Sequence, residues 1–377
     1  MKKSFFVALI LAFVPALLPA RGAGQGDWWY TLMRGQAMFD RGDYGNALLA
    51  FEDARRARRA AYDAMERDLV DVLSMPAVRT LGDSLDWVER FVRERHFSAA
   101  AAALDELYFR FPGERFGNSA TAALEALGTL RHFPEAEAWI GRTFLAGGET
   151  GLALRQFQLA LSQGHLMENP AAASDLLYEI AEVRRLRQEH LEMERALLSV
   201  LEESALWAGA GTGWQAGPFA RDAMTRSLEL NGAERLIALF RYGNARTLRA
   251  HRELGFFYAA SGRHNRAQEH LMFAFVIQNT IVIDELLRRD FDFEFTTLDA
   301  LADVIAGDRF LRNYAEDNDY YRVAFYLANS LFGNGNPVRA RELWTFVAGR
   351  EGSGEWGFRA AAQLLSPQIV APVLVMP

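Results

Sequence analysis

Seven histidines, two arginine clusters and one run of alternating acids and rings are the residues of this 377-residue chain whose types invite a chemical reading. The histidines are His96, His132, His165, His190, His251, His264 and His270. No two of them stand at i, i+3 or i, i+4, the spacings that aim both rings at one metal from a helix face, so no metal site is expected. There is no cysteine, which excludes disulfides, thiolate chemistry, Cys-zinc sites and lipid attachment at a lipobox cysteine. Phosphate-loop, HExxH, Gly-x-Ser-x-Gly and Cys-His motifs are missing, so neither an enzyme nor a cofactor is expected. Gly211-x-Gly213-x-x-Ala216 has the outline of a dinucleotide loop, but no strand precedes it and Trp214 stands where small residues are needed; it reads as linker.

The run Asp290-Phe291-Asp292-Phe293-Glu294-Phe295 would separate three rings from three carboxylates if extended. A calcium or cationic-peptide site is one reading; a loop that plugs its rings between helices and keeps its acids wet is the preferred one. Arg55, Arg56, Arg58 and Arg59, with Arg184, Arg185 and Arg187, could hold a phosphate or acidic glycan. The preferred reading is a solvated helix face paired with acids such as Glu52, Asp53 and Glu182. Trp28 and Trp29 are expected to pack over the first helix pair as an N-terminal cap.

Behind these residues lies an alanine-, leucine- and arginine-rich chain, poor in strand-forming runs, which predicts helices. Lys2 and Lys3 precede an uncharged apolar run from Phe5 to Ala20, the pattern of a signal peptide over residues 1–22, cut after Ala20 or Gly22. Export to the periplasm as a soluble or peripheral protein, not a lipoprotein, is the expectation. No transmembrane segment is expected after signal removal. A cut after Ala20 removes the only two lysines and takes the formal charge from −7 to −9, which disfavours nucleic acid as a partner.

Self-comparison organises the rest. Gly35, Gly42, Ala47, Phe51 and Ala54 recur at the same spacing as Gly141, Gly148, Ala153, Phe157 and Ala160, and as Gly255, Gly262, Ala267, Leu271 and Ala274. The first glycine suits a close helix approach, and the second a left-handed helix end. The Ala, Phe/Leu and Ala share one stripe of the next helix. A substituted fourth unit runs through Leu327, Ala328, Leu331, Gly335, Ala340 and Trp344. A weaker one carries Trp87, Phe91, Phe97, Ala100, Leu104 and Pro112, with Val88 and Arg95 in place of the glycines.

These units resemble the tetratricopeptide repeat family, helix-turn-helix repeats of about 34 residues. The resemblance implies an all-α fold, a right-handed α-solenoid of stacked helix-turn-helix repeats, several of them degenerate. Intervals of 106 and 114 residues between first glycines fit three units each, with degenerate pairs in the gaps and a long or extra helix between Tyr44 and Pro76. The glycine-rich stretch at 206–218 divides an N-terminal half, 27–205, from a C-terminal half, 219–365, followed by an apolar tail at 366–377.

The family's inward-facing positions fall on Gln36, Phe39, Glu89, Arg93, Arg142, Arg249, Arg252, Phe256, Arg322, Phe325, Asn329 and Phe332. Arginines among rings suit a peptide with carboxylates and apolar side chains. The expected function is a non-enzymatic scaffold or adaptor that binds a protein or peptide of the cell envelope in a concave groove. The alternatives are an accessory ligand-binding subunit of an envelope transport system, and a solenoid-supported peptidoglycan-active enzyme with Glu294 as general acid.

Overall fold

The computed structural model describes residues 27–73, 88, 90–92, 94, 96–110, 127–169, 171–207 and 217–372. The expected signal peptide, Glu89, Arg93, most of the glycine-rich stretch and the end of the apolar tail lie outside the described residues. Every regular element among the described residues is helical. The chain forms two compact units that divide between Val183 and Arg184. That boundary falls inside a helix and well before the stretch at 206–218 where the sequence places it.

The first unit contains α1 (Asp27–Phe39), α2 (Tyr44–Leu73), α3 (Phe97–Arg110), α4 (Pro134–Ala146), α5 (Thr150–Ser162) and most of α6 (Ala171–Leu186). The long α2 serves two cores. Its first half packs with α1 and α4 around Leu32, Phe51, Ala54, Phe133 and Ile140. Its second half supplies Tyr62 to a separate cluster with Val88, Val92, Phe97, Ala100 and Leu127. The weak unit at 88–110 is therefore a branch on the far end of α2, and α4 is the spatial neighbour of the first hairpin.

The second unit contains α7 (His190–Trp207), α8 (Gly217–Asn231), α9 (Ala233–Leu239), α10 (Ala245–Ala260), α11 (His264–Arg289), α12 (Leu298–Gly307), α13 (Arg309–Asp317), α14 (Tyr320–Gly333), α15 (Pro337–Ala348) and α16 (Glu355–Leu365). Successive contacts run from α7 to α10, α11, α14, α15 and α16. Polar caps start several of these helices: Thr297 Oγ1 accepts from the Ala300 amide, and Asp308 accepts from Phe310 and Leu311. By length and composition alone α11 could cross a bilayer, and its Phe273, Phe275, Val276 and Ile277 are fully buried in the core of this unit.

The recurring residues meet as their spacing predicts. A Cβ placed on Gly35 would lie 2.5 Å from the Phe51 ring; on Gly141, 2.6 Å from Phe157; on Gly255, 2.6 Å from Leu271. Hydrogen in place of a side chain is what lets the two helices of each hairpin close. Gly42, Gly148 and Gly262 take φ of +80°, +81° and +69°, and Gly335 takes +81° in the fourth unit. At each of these turns the left-handed residue's amide bonds the carbonyl three residues back, and the next amide bonds the carbonyl five residues before itself, as in Gly148 to Leu145 and Glu149 to Phe144. Ala47, Ala54, Ala153, Ala160, Ala267, Ala274, Ala340 and Trp344 are all fully buried.

The same turn occurs at Gln188, whose amide bonds Arg185 O while the Glu189 amide bonds Arg184 O. Gln188 has φ +58° and no glycine to mark it in the sequence. A left-handed non-glycine residue costs about 1–2 kcal/mol, so Gln188→Gly is expected to raise stability by about 1 kcal/mol in urea denaturation. A loss of stability would show that the Gln188 side chain holds the turn.

Candidate functional site

A cleft of about 800 Å³ opens in the second unit between the end of α12, α13, the start of α14, the loop 350–354 and the start of α16. Small residues, Ala302, Ala306, Ala315 and Gly307, keep it open, and Gly352 and Gly354 turn the loop at φ +85° and +55°. Three guanidiniums line it, from Arg312, Arg322 and Arg350, against five carboxylates, from Asp303, Glu316, Asp319, Glu351 and Glu355. Tyr320, Tyr321 and Trp356 add rings. Burial raises the Tyr321 phenol above its ordinary value, so it stays a neutral hydroxyl.

Asp319 organises the inner edge. It precedes α14 in the left-handed region, φ +55°, and makes no side-chain cap on that helix. Its Oδ2 lies 3.5 Å from Arg252 and 3.7 Å from Arg322. The Arg322 guanidinium lies over the Phe256 ring at 4.3 Å and 5.7 Å from the centre of Trp356. Trp356 also packs against Phe325 and Tyr326, each at 5.6 Å. Arg350 bridges Asp299 and Asp303, both at 3.1 Å. The arrangement can hold a segment that carries charge of either sign next to an apolar or aromatic side chain.

Of the groove positions read from the sequence, Arg252, Phe256, Arg322 and Phe325 converge here on α10 and α14. Their roles differ from the expectation. Phe256, Phe325 and Asn329 are buried, at 5%, 1% and 3% exposure, and offer no groove surface. Asn329 accepts from Trp344 Nε1 at 3.1 Å and donates to Val370 O at 3.4 Å, so α15 and the chain's own tail occupy the wall of the last repeat. Phe332 packs against Trp344 at a tilt, with ring centres 5.6 Å apart. Arg249 is exposed and bonded to Glu253. In the first unit, Arg142 pairs with Glu179 at 2.7 Å and lies over Trp139 at 4.5 Å, while Gln36 and Phe39 are half-buried.

The other candidates resolve simply. Arg55, Arg56 and Arg59 pair with Glu52 and Glu137, Asp53, and Asp63. Arg58 is the exception: it is buried, donates to Thr129 O at 3.0 Å and lies over Phe133, and burial lowers its pKa. Arg184 and Arg187 share Glu189. Trp28 and Trp29 belong to α1 itself rather than lying over the first hairpin, and Trp29 meets Phe133, at the start of α4, edge-on at 5.0 Å. In the acid–ring run Phe291 is 91% exposed, Phe293 and Phe295 are half-buried, and Glu294 is exposed. Among the described residues no three His, Cys, Asp or Glu side chains are grouped to hold a metal.

Two features had no local signal. The cleft walls α12 and α13 and the loop 350–354 lie outside the repeat pattern. His251 and His270, 19 residues apart, come together across the α10/α11 hairpin with Nδ1 to Nδ1 at 3.1 Å. A search confined to one helix face misses such a pair.

Fold and site define an all-helical chain of closely nested hairpins with a charged, ring-lined cleft. No family model matches it. The chain is similar to an uncharacterized protein of Treponema pallidum (strain Nichols), 25% identical over 339 residues that span 90% of each chain. That likeness extends over both compact units.

Proposed function

We propose that this chain is an exported, non-enzymatic scaffold of the tetratricopeptide type, an α-solenoid in its repeat logic, which holds a protein or peptide segment of the cell envelope in the cleft bounded by α12, α13, α14 and α16. The observation that carries this reading is the Asp319-centred wall, where Arg252 and Arg322 are held in fixed orientation beside Phe256 and Trp356. Orienting guanidiniums next to a half-exposed tryptophan builds a recognition surface before any partner arrives, which lowers the entropic cost of binding. The nested hairpins supply the rigid support such a surface requires. The leader-like N-terminus supports an envelope location.

A photo-crosslinking residue at exposed Glu351, on the cleft rim, should trap a partner in envelope fractions that the same residue at Gly45, on α2, does not. Trp356→Ala combined with Arg322→Glu should then weaken that partner's affinity by tenfold or more, about 1.4 kcal/mol or above. Equal trapping from both positions, or unchanged affinity, would remove the cleft from the reading.

A further inference from the structure

His251 on α10 and His270 on α11 face each other inside their hairpin, at 0% and 2% exposure. With the two Nδ1 atoms 3.1 Å apart, one must carry the hydrogen and the other accept it, so when both rings are neutral they are different tautomers. His251 stacks on Phe273 at 4.9 Å, and His270 lies 5.3 Å from the Tyr258 ring.

Charges around the pair oppose a further proton. Arg266 from α11 and Arg221 from α8 act on His270, and His270 acts on His251. The carboxylates nearby are engaged: Glu269 of α11 with Arg221 at 3.2 Å, and Glu194 of α7 with Tyr258, Arg263 and Arg266. Glu229 of α8 accepts from Gln268, and α14 brings Tyr326 against Phe256 further along α10. Burial is the main cause that holds His251 well below its ordinary value and takes His270 down to about 3.

We propose that the His251–His270 pair is an acid-operated latch on the α10/α11 hairpin, closed while both rings are neutral and released as the surroundings acidify. A first proton can settle on Nε2 of the donor ring and leave the Nδ1 bond intact. A second puts hydrogens on both facing nitrogens and breaks it. Because the folded pair binds protons more weakly than the unfolded chain, its stabilisation is complete above about pH 6.5 and is lost as pH falls from there toward the folded value. Arg252 and Phe256 ride on α10, so release also loosens the seat of Arg322 in the cleft.

Hydrogen exchange of the full-length chain tests this, with intrinsic rates corrected for pH. Between pH 7 and pH 5 the opening constant for α10 and α11 amides should rise about 25-fold per histidine, roughly 600-fold for the pair. Asp308 and Glu189 do not contribute in that window, because hydrogen bonds from the Leu311 amide and from Arg184 hold their carboxyls below the ordinary range. In His251→Phe/His270→Phe, whose rings keep the apolar stack, the rise should shrink to less than tenfold. Should that variant not fold, histidine ring nitrogen NMR of the wild-type chain decides, with His251 and His270 neutral down to pH 5. A rise below tenfold in the wild type, or either ring titrating near 6.5 in the folded chain, overturns the latch.

Discussion

Gly255→Ala will destabilise the second unit by about 2 kcal/mol, although alanine in a helix interior ordinarily gains close to 1 kcal/mol over glycine. The new methyl would fall 2.6 Å from Leu271 Cγ and 2.7 Å from its Cδ2, inside a contact that real atoms do not make, and Leu271 is fully buried with no room to yield. For a unit of this size the melting temperature should drop by about 4–8 °C. The physical cause has its own control: in a Leu271→Ala background the same substitution should become neutral or favourable, a change of sign that a double-mutant cycle reads directly. Gly45→Ala, near the start of α2 with open space around it, should raise stability by a few tenths of a kcal/mol. If Gly255→Ala were stabilising in the wild-type background, the close approach would not exist.

Removing Glu194 should be about as damaging. Its Oε1 accepts from the Tyr258 hydroxyl at 2.7 Å, and Arg263 and Arg266 approach the same carboxylate at 3.4 and 3.3 Å. Both guanidiniums also lie over the Tyr258 ring, at 4.5 and 5.5 Å. Tyr258 is fully buried, and burial with the Glu194 carboxylate raises its phenol above the ordinary value, so it acts as a fixed donor. Glu194→Ala strands that donor and leaves two cations over one ring; after discounting for the exposure of the arginines, the loss should be about 2–3 kcal/mol. Tyr258→Phe should cost about 1 kcal/mol, and the double variant less than the sum. Chemical denaturation at pH 7 checks all three. Strict additivity would mean that the two side chains do not share one network.

The helical class, the internal geometry of three hairpins and their turns were readable because they depend on residues within one short segment. A glycine seven residues before another, then alanine, a bulky residue and alanine, states which atoms meet and where the backbone turns left-handed. The turn at Gln188 was unreadable because glutamine gives no sign of that conformation. The weak unit could be found by its pattern, but its place on the far half of α2 could not, since a 30-residue helix serving two cores looks like an ordinary interval in the count. The groove carried the largest error. Phe325 and Asn329 occupy inward-facing positions of their repeat, yet α16 and the tail around Val370 cover them.

From the chain's residues alone came the helix-turn-helix units and the contacts inside each, because spacing of three, four and seven positions and a permissive turn residue act over a few ångströms of adjoining backbone. Tertiary structure decided which units are neighbours, which wall stays open and which histidines meet. Those outcomes depend on segments far apart in sequence laid against one another, and whether a side chain is surface or core is settled by what lies on top of it.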